Sequence, residues 1–443
     1  MTAPDPLRTL YKSLSGKGAL PLKPDDPYYV PILEKNPEKD PILALWQRID
    51  LADSESINLL TGFRGNGKST ELQRLKKKLE ESGCQVFLVD MLEYVLMTKP
   101  LALSDFILSL MAALAGSVEK SEQTALAPLS RSYWERLCKF LSTEVALEKI
   151  DLDIGDGAAK LGFKLKTDPD FKTLIQKHLD GHLTRLVQDA REFVDGLVKE
   201  IRIISKDPDK KVVLIVDSLE QLRGVGQEAE TIYASVRELF FGQSNNLSFP
   251  KLHVVYTVPP YLTVLVPNLG RTLGGNPVTQ WPNIHVRKRE TGKADPDGIN
   301  IMRQVVYKRF DTWEAFISKD QLAHLAVSSG GDLRDYFRLV RETALSLRTV
   351  RFSDPSASLD DSIIERVIQQ LKNELLPIPE EDAVWLSRIH ESKQTSLMKI
   401  SDVPDLARFL DTNRIMNYMN GEPWFDVHPL ILDEIREKKN TEK

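Results

Sequence analysis

Cysteine is almost absent: Cys84 and Cys138 are the only two in 443 residues, and neither stands in a CxxC or Cys/His spacing. That excludes a disulfide framework and a thiolate zinc site as organising devices. Long apolar runs are missing too. The most apolar stretch, Leu101 to Gly116, is broken by Asp105 and two serines, short of the roughly 20 residues a membrane-spanning helix requires. The opening MTAPDPLRTLYKSLSGKG holds no apolar signal region, so no targeting segment and no membrane are expected, and a cytoplasmic location is the default. Nor is there an excess of positive charge: 59 Lys and Arg against 64 Asp and Glu leave a formal −5. Any contact with DNA therefore has to come from a local patch. No repeat of about 20 to 50 residues is evident.

What is present is an ordinary globular composition, 42% hydrophobic, long enough for two or three domains of about 100 to 200 residues. Residues 1 to about 40 are rich in proline and aperiodic, which reads as an extended arm on the domain or a disordered lead-in, with regular structure starting near Pro41. Apolar runs at 57–60, 84–90, 211–217, 252–257 and 283–286 alternate with helical patterns. Such alternation predicts an α/β fold with a parallel sheet. The interval from Lys68 to Asp217 is longer than one strand and its helices need, so an insertion is expected over about 103–208. Within it, 103–146 and 171–205 have helical spacing, and 149–166 alternates around Gly155-Asp156-Gly157 like a hairpin. The expected order is an arm (1–40), a sheet domain (41–298), a helical lid (299–376) and a C-terminal module (377–443).

The most specific stretch is Gly62-Phe-Arg64-Gly65-Asn66-Gly67-Lys68-Ser69-Thr70, a full match to GxxxxGK[ST]. It follows an apolar run and precedes the helical pattern Leu72, Leu75, Leu79. Glycines let backbone N–H groups turn toward phosphate, and the starting helix offers its positive dipole end. Lys68 can reach the β and γ phosphates, and Ser69 can ligate Mg²⁺. Asp217, at the end of the apolar run 212–216, is the expected second Mg²⁺ ligand. ATP and Mg²⁺ are thus the expected cofactors. The guanine reader of GTPases is absent, and Ser328-Ser-Gly-Gly-Asp332 lies after Asp217, on the wrong side for the ABC signature.

Beyond these residues the chain resembles the AAA+ ATPases and their STAND-type signalling relatives. Ser329-Gly-Gly-Asp-Leu-Arg334-Asp335-Tyr-Phe-Arg338 resembles the GG-D-x-R segment of the AAA+ lid, most closely in the origin-recognition initiator clade. The resemblance makes Arg334 a γ-phosphate sensor, Thr257 a polar sensor on the strand after the metal strand, and Arg271 an arginine that reaches a neighbour's nucleotide. A loop arginine is the alternative for Arg271. AAA+ enzymes often place a glutamate directly after the metal aspartate; here that position is Ser218, with Glu220 two residues on. Either Glu220 serves as the base or hydrolysis is slow.

Residues 380–435 predict two helices and a hairpin around Asn420-Gly421, a winged-helix layout. From Glu380 to Lys443, thirteen acidic residues face nine basic ones, and the reading helix 402–411 holds Asp402, Asp405 and Asp411 against Arg408 alone. Such a helix is a poor reader of duplex phosphate. A protein-facing or nucleotide-sensing module is expected instead. Val427-His428-Pro429 loosely resembles the histidine motif of STAND proteins, beside the plainer reading of a packed histidine. The basic tract Arg287-Lys288-Arg289 with Lys293 is the candidate for nucleic acid, beside the plainer reading of a solvated edge. No nuclease or protease site is evident, so an ATP-driven switch is expected that assembles with itself or with a protein effector. Bacterial proteins of this resemblance often act in anti-phage defence. A DNA-bound initiator or transposition regulator is the alternative.

Overall fold

A computed structural model describes residues 5–16, 20–33, 37–120, 181–224, 228–395, 402–420 and 422–441, with scattered positions between 121 and 180. The strands are β1 (Ser56–Thr61), β2 (Gln85–Asp90), β3 (Val212–Asp217), β4 (Leu252–Val258), β5 (Thr279–Gln280), β6 (Ile415–Met419) and β7 (Pro423–Val427). The helices of the first half are α1 (Pro6–Ser13), α2 (Pro41–Asp50), α3 (Lys68–Glu81), α4 (Leu103–Glu119), α5 (Leu183–Ser205), α6 (Ala229–Arg237), α7 (Pro260–Leu265) and α8 (Leu269–Thr272). They continue as α9 (Pro296–Arg309), α10 (Lys319–Ser328), α11 (Leu333–Ser353), α12 (Asp361–Leu375), α13 (Glu380–Ser392), α14 (Val403–Asp411) and α15 (Leu432–Thr441). The chain divides into two compact units.

The first unit joins residues 41–61 to 74–280. Its five strands lie in the order β2-β3-β4-β1-β5, every neighbour parallel. β3 is buried along its whole length, as an aliphatic run covered on both faces must be. α4 is buried nearly all round. α5 is amphipathic instead, burying Leu186, Ala190, Phe193, Leu197 and Ile201 on one side and ending at Lys206 in the left-handed region (φ 53°). Both fall inside the expected insertion. The hairpin expected at 149–166 lies outside the described residues.

The last strand departs from expectation. The sheet takes Thr279 and Gln280, opposite Leu60 and Thr61, and not 283–286. Pro277 and Pro282 flank this pair, and a residue without an N–H cannot continue a ladder. Asn283 instead bridges to Tyr418.

The second unit joins residues 1–40, 62–73 and 281–443. Its core packs Leu7, Leu10 and Leu14 with Trp313, Tyr336, Leu339, Val340, Leu347 and Ile364. Regular structure therefore begins well before Pro41. α1 forms because Asp5 caps it, accepting from the Leu7 and Arg8 amides with Pro6 at the first position. Leu7, Leu10 and Leu14 share its buried face. Asp5 also accepts from Arg348 of α11 at 2.6 Å, and Arg341 of α11 stacks over Tyr11. Toward the C-terminus, α13 and α14 precede the antiparallel hairpin β6–β7, in the order the sequence predicts, and α15 follows it. Asp382 of α13 receives Arg408 at 2.9 and 2.8 Å and Arg414 at 3.1 Å. A parallel sheet with the glycine-rich loop following β1, a helical segment after the sheet and a C-terminal module with an antiparallel hairpin make this the P-loop NTPase fold.

Candidate phosphate site

The loop from Gly62 to Ser69 leaves β1 and enters α3 at Lys68. Gly65 and Gly67 hold φ of +83° and +89°, where side-chain-bearing residues are strained. Gly62 is needed for space: a Cβ there would lie 2.5 Å from the Trp281 carbonyl oxygen. At Gly65 a Cβ would lie 2.6 Å from Arg334 Cβ and 2.9 Å from Asp332 Oδ1, so the expected lid turn packs directly on the loop. Lys68 is 3% exposed. Its Nζ donates to the Phe63 carbonyl at 2.5 Å and approaches Asn66 Oδ1 at 3.4 Å. Asn66 donates from Nδ2 to the Trp281 carbonyl at 3.0 Å, and Trp281 donates from Nε1 to the Asn66 carbonyl at 2.9 Å. Arg64 and Ser69 are half-buried, and the Thr70 hydroxyl accepts from the Leu22 amide at 3.1 Å.

The lid turn is built on two left-handed glycines, Gly330 and Gly331. Asp332 then caps α11, taking the amides of Arg334 and Asp335 on Oδ1 at 2.8 and 3.0 Å. Burial, followed by the neighbouring charge of Asp335, pushes its carboxyl up to about 7. Arg334 is exposed, and its side chain lies against Gly65. Among the described residues its guanidinium makes no hydrogen bond or ion pair. The phosphate loop and the sensor candidate Arg334 therefore belong to one unit.

In the sheet unit, Asp217 ends β3 and is 4% exposed. Ser218 adopts φ 73°, and its amide donates to Asp217 Oδ1 at 2.7 Å. This fixes the carboxylate at the carboxyl end of the sheet. Asp90 stands opposite Asp217 in register, its Oδ1 held by the Leu92 amide at 2.9 Å. Glu220 sits on the one-turn segment Leu219–Gln221, 6% exposed. Thr257 is fully buried. Its hydroxyl donates to the Val216 carbonyl at 3.2 Å and accepts the Leu219 amide at 3.0 Å. It brackets the turn that carries Asp217, with its one hydrogen already used. Arg271 lies exposed on α8.

His428 is fully buried, accepting the Leu430 amide on Nδ1 at 3.3 Å and standing 3.8 Å from Asp335 by Nε2. It is a packed histidine beside the lid helix. The basic tract folds back on itself, Arg287 bridging to Ala294 and the Lys288 amide donating to the Lys293 carbonyl at 2.8 Å. Lys288 and Lys293 are exposed on this turn.

Several residues escaped sequence reading: Trp281, Asp90, Leu22 and Tyr29, whose hydroxyl donates to Glu71 Oε1 at 3.2 Å. No motif marks them. The only available signal was the WP pair closing the sheet.

No protein-family model matches the chain, and no curated protein matches it in sequence. Among solved structures, it is similar to the ORC2 protein of Aeropyrum pernix in its ADP form: 9% identity and a TM-score of 0.41, covering 97% of this chain and 96% of that one. A Walker-type ATPase of Pyrococcus abyssi is similar at 14% identity and a TM-score of 0.38, over 93% and 100% of the two chains. Cdc6p from Pyrobaculum aerophilum is similar at 12% identity and a TM-score of 0.36, over 97% and 98%. Likeness at this distance assigns no activity.

Among the described residues no helix is long and apolar enough to cross a membrane.

Proposed function

We propose that the chain is an ATP-binding, slowly hydrolysing switch of the AAA+/STAND kind. The single observation that carries this reading is the cradle formed by Gly62, Gly65 and Gly67 at the start of α3. Gly65 and Gly67 have positive φ, the backbone conformation with which a loop turns its N–H groups toward phosphate, and Gly62 leaves room for the Trp281 carbonyl that packs on the loop. Those features suit a chain of polyphosphate oxygens, which needs close backbone N–H groups and no side chains. Lys68 would meet the β and γ phosphates and Arg334 would sense the γ phosphate; Ser69 on the loop and Asp217 in the sheet unit are the candidate residues for Mg²⁺, which would supply charge neutralisation. Glu220 is the candidate for orienting water, and Thr257 keeps the Asp217 turn in place. Arg271 is exposed as an arginine acting on a neighbouring copy must be. The output passes to a second copy or a protein effector, in the cytoplasm, with anti-phage defence as the leading context.

The deciding experiment is nucleotide binding by Lys68→Ala. A charged hydrogen bond is worth about 1.5–3 kcal/mol, so affinity should fall by roughly ten- to a hundredfold or more. Unchanged affinity and turnover would remove the reading.

A second reading, a DNA-bound initiator or transposition regulator, is favoured by one observation, the tight turn presenting Lys288 and Lys293. Against it stands α14, whose only cation, Arg408, is held by Asp382 and by Asp405 at 3.0 Å.

A further inference from the structure

Asn66 and Trp281 hold each other by two reciprocal hydrogen bonds, and both are at most 2% exposed. Two residues beyond Trp281 the chain grips the hairpin, the Asn283 amide donating to the Asn417 carbonyl at 2.8 Å. The hairpin in turn grips the lid, Tyr418 donating its hydroxyl to the Gly330 carbonyl at 2.7 Å. A Cβ on Gly330 would meet Met416 and Pro429 at 3.0 Å, so the turn and the hairpin are packed without slack. The Ile284 amide donates to the Gly331 carbonyl at 3.2 Å, and Asp332, one residue on, lies against Gly65 of the loop.

These links close a ring: Asn66, Trp281, Asn283, Tyr418, Gly330, Asp332, Gly65. Two of its hydrogen bonds join backbone to backbone, and three run from the buried side chains of Asn66, Trp281 and Tyr418 to backbone carbonyls, so displacing one member strains the next. We infer that Trp281 is a positioning residue through which the β6–β7 hairpin controls how tightly the phosphate loop holds its nucleotide. Drawing Tyr418 off Gly330 loosens Asn66, and with it the contact to Lys68, so nucleotide leaves faster. Bound nucleotide must reciprocally tighten the hairpin, because coupling between two sites acts equally in both directions. The inference rests on the nucleotide-switch reading and adds the element that regulates it.

The test uses the full chain and the dissociation rate of a fluorescent ATP analogue. Tyr418→Phe removes one hydroxyl while leaving the ring stacked 4.5 Å from Trp424. Trp281→Phe removes the indole donor. Each single variant should raise the rate about three- to tenfold, the weight of one buried hydrogen bond. The double variant should exceed the larger single effect by little, since both cut one path. Hydrogen exchange at the Asn283 and Ile284 amides should slow when the analogue is added to the parent, a response that a merely structural contact would not give. If Lys68→Ala loses the analogue while Tyr418→Phe dissociates at the parent rate, or the two effects simply multiply, the coupling is wrong and the nucleotide site stands. If Lys68→Ala binds as the parent does, the site itself falls and the coupling with it. Should Tyr418→Phe not fold, nucleotide-insensitive exchange at Asn283 and Ile284 overturns the inference alone.

Discussion

The Asp332 carboxylate occupies the space that a side chain on Gly65 would need, with Oδ1 2.9 Å from an ideal Cβ there. An acid buried against a phosphate loop makes both stability and ligand affinity depend on pH. Its folded pKa of about 7 lies above the ordinary 3.8, so the folded chain holds a proton the unfolded chain has released. The resulting stability is complete below the lower value and is lost as pH rises through the upper one. Melting temperature should therefore decline between about pH 4 and pH 7, and the decline should shrink in Asp332→Asn, which keeps the cap. Affinity for an ATP analogue should also fall less steeply over that range in Asp332→Asn than in the parent. Identical slopes in both measurements would show that the acid is not protonated in the folded chain.

Asp217→Asn should leave the fold intact, because an amide oxygen can still accept the Ser218 amide. Mg²⁺-dependent turnover should drop by about a hundredfold, the usual loss when one charge-stabilising group is removed. Normal hydrolysis in that variant would make the carboxylate structural. Glu220→Gln should retain ATP binding yet stall turnover if this residue orients water.

Duplex DNA binding at physiological salt should be no tighter than about micromolar, the range of non-specific electrostatic contact. α14 lacks a free cation: Arg408 is raised in pKa, first by Asp382, and tied down. Nanomolar binding that falls steeply with salt, and that is lost when Lys288 and Lys293 become alanine, would promote the initiator reading.

Turnover per subunit should rise with protein concentration if Arg271 acts on a neighbour, and Arg271→Ala should lower it without weakening ATP binding. Mixing Arg271→Ala with Lys68→Ala should restore activity where an intact arginine meets an intact loop. Flat specific activity together with an inactive mixture would confine the arginine to its own chain or to no role.

Legibility in the sequence followed the range of the interactions. The phosphate loop, β3 and the C-terminal hairpin were readable because glycine spacing, continuous burial and two-residue alternation are each set by neighbours in the chain. Regular structure before Pro41 is not legible because α1 is only eight residues long, and its stability comes from packing on α11 rather than from propensity. The strand expected at 283–286 failed for a related reason: a short apolar run shows that a segment is buried, not which partner pairs with it.

The order of residues 62–69 alone determined where a phosphate can be cradled, since φ > 0 at glycine and the start of a helix are local properties of the backbone. Only the tertiary structure decided that Asn66 would be held by Trp281, 215 positions away, and that Asp332 and Arg334 would close on Gly65. Contacts between distant segments depend on which surfaces meet once both are folded, and at those positions the sequence carries only a tryptophan, an asparagine and a glycine, residues whose partners no local pattern specifies.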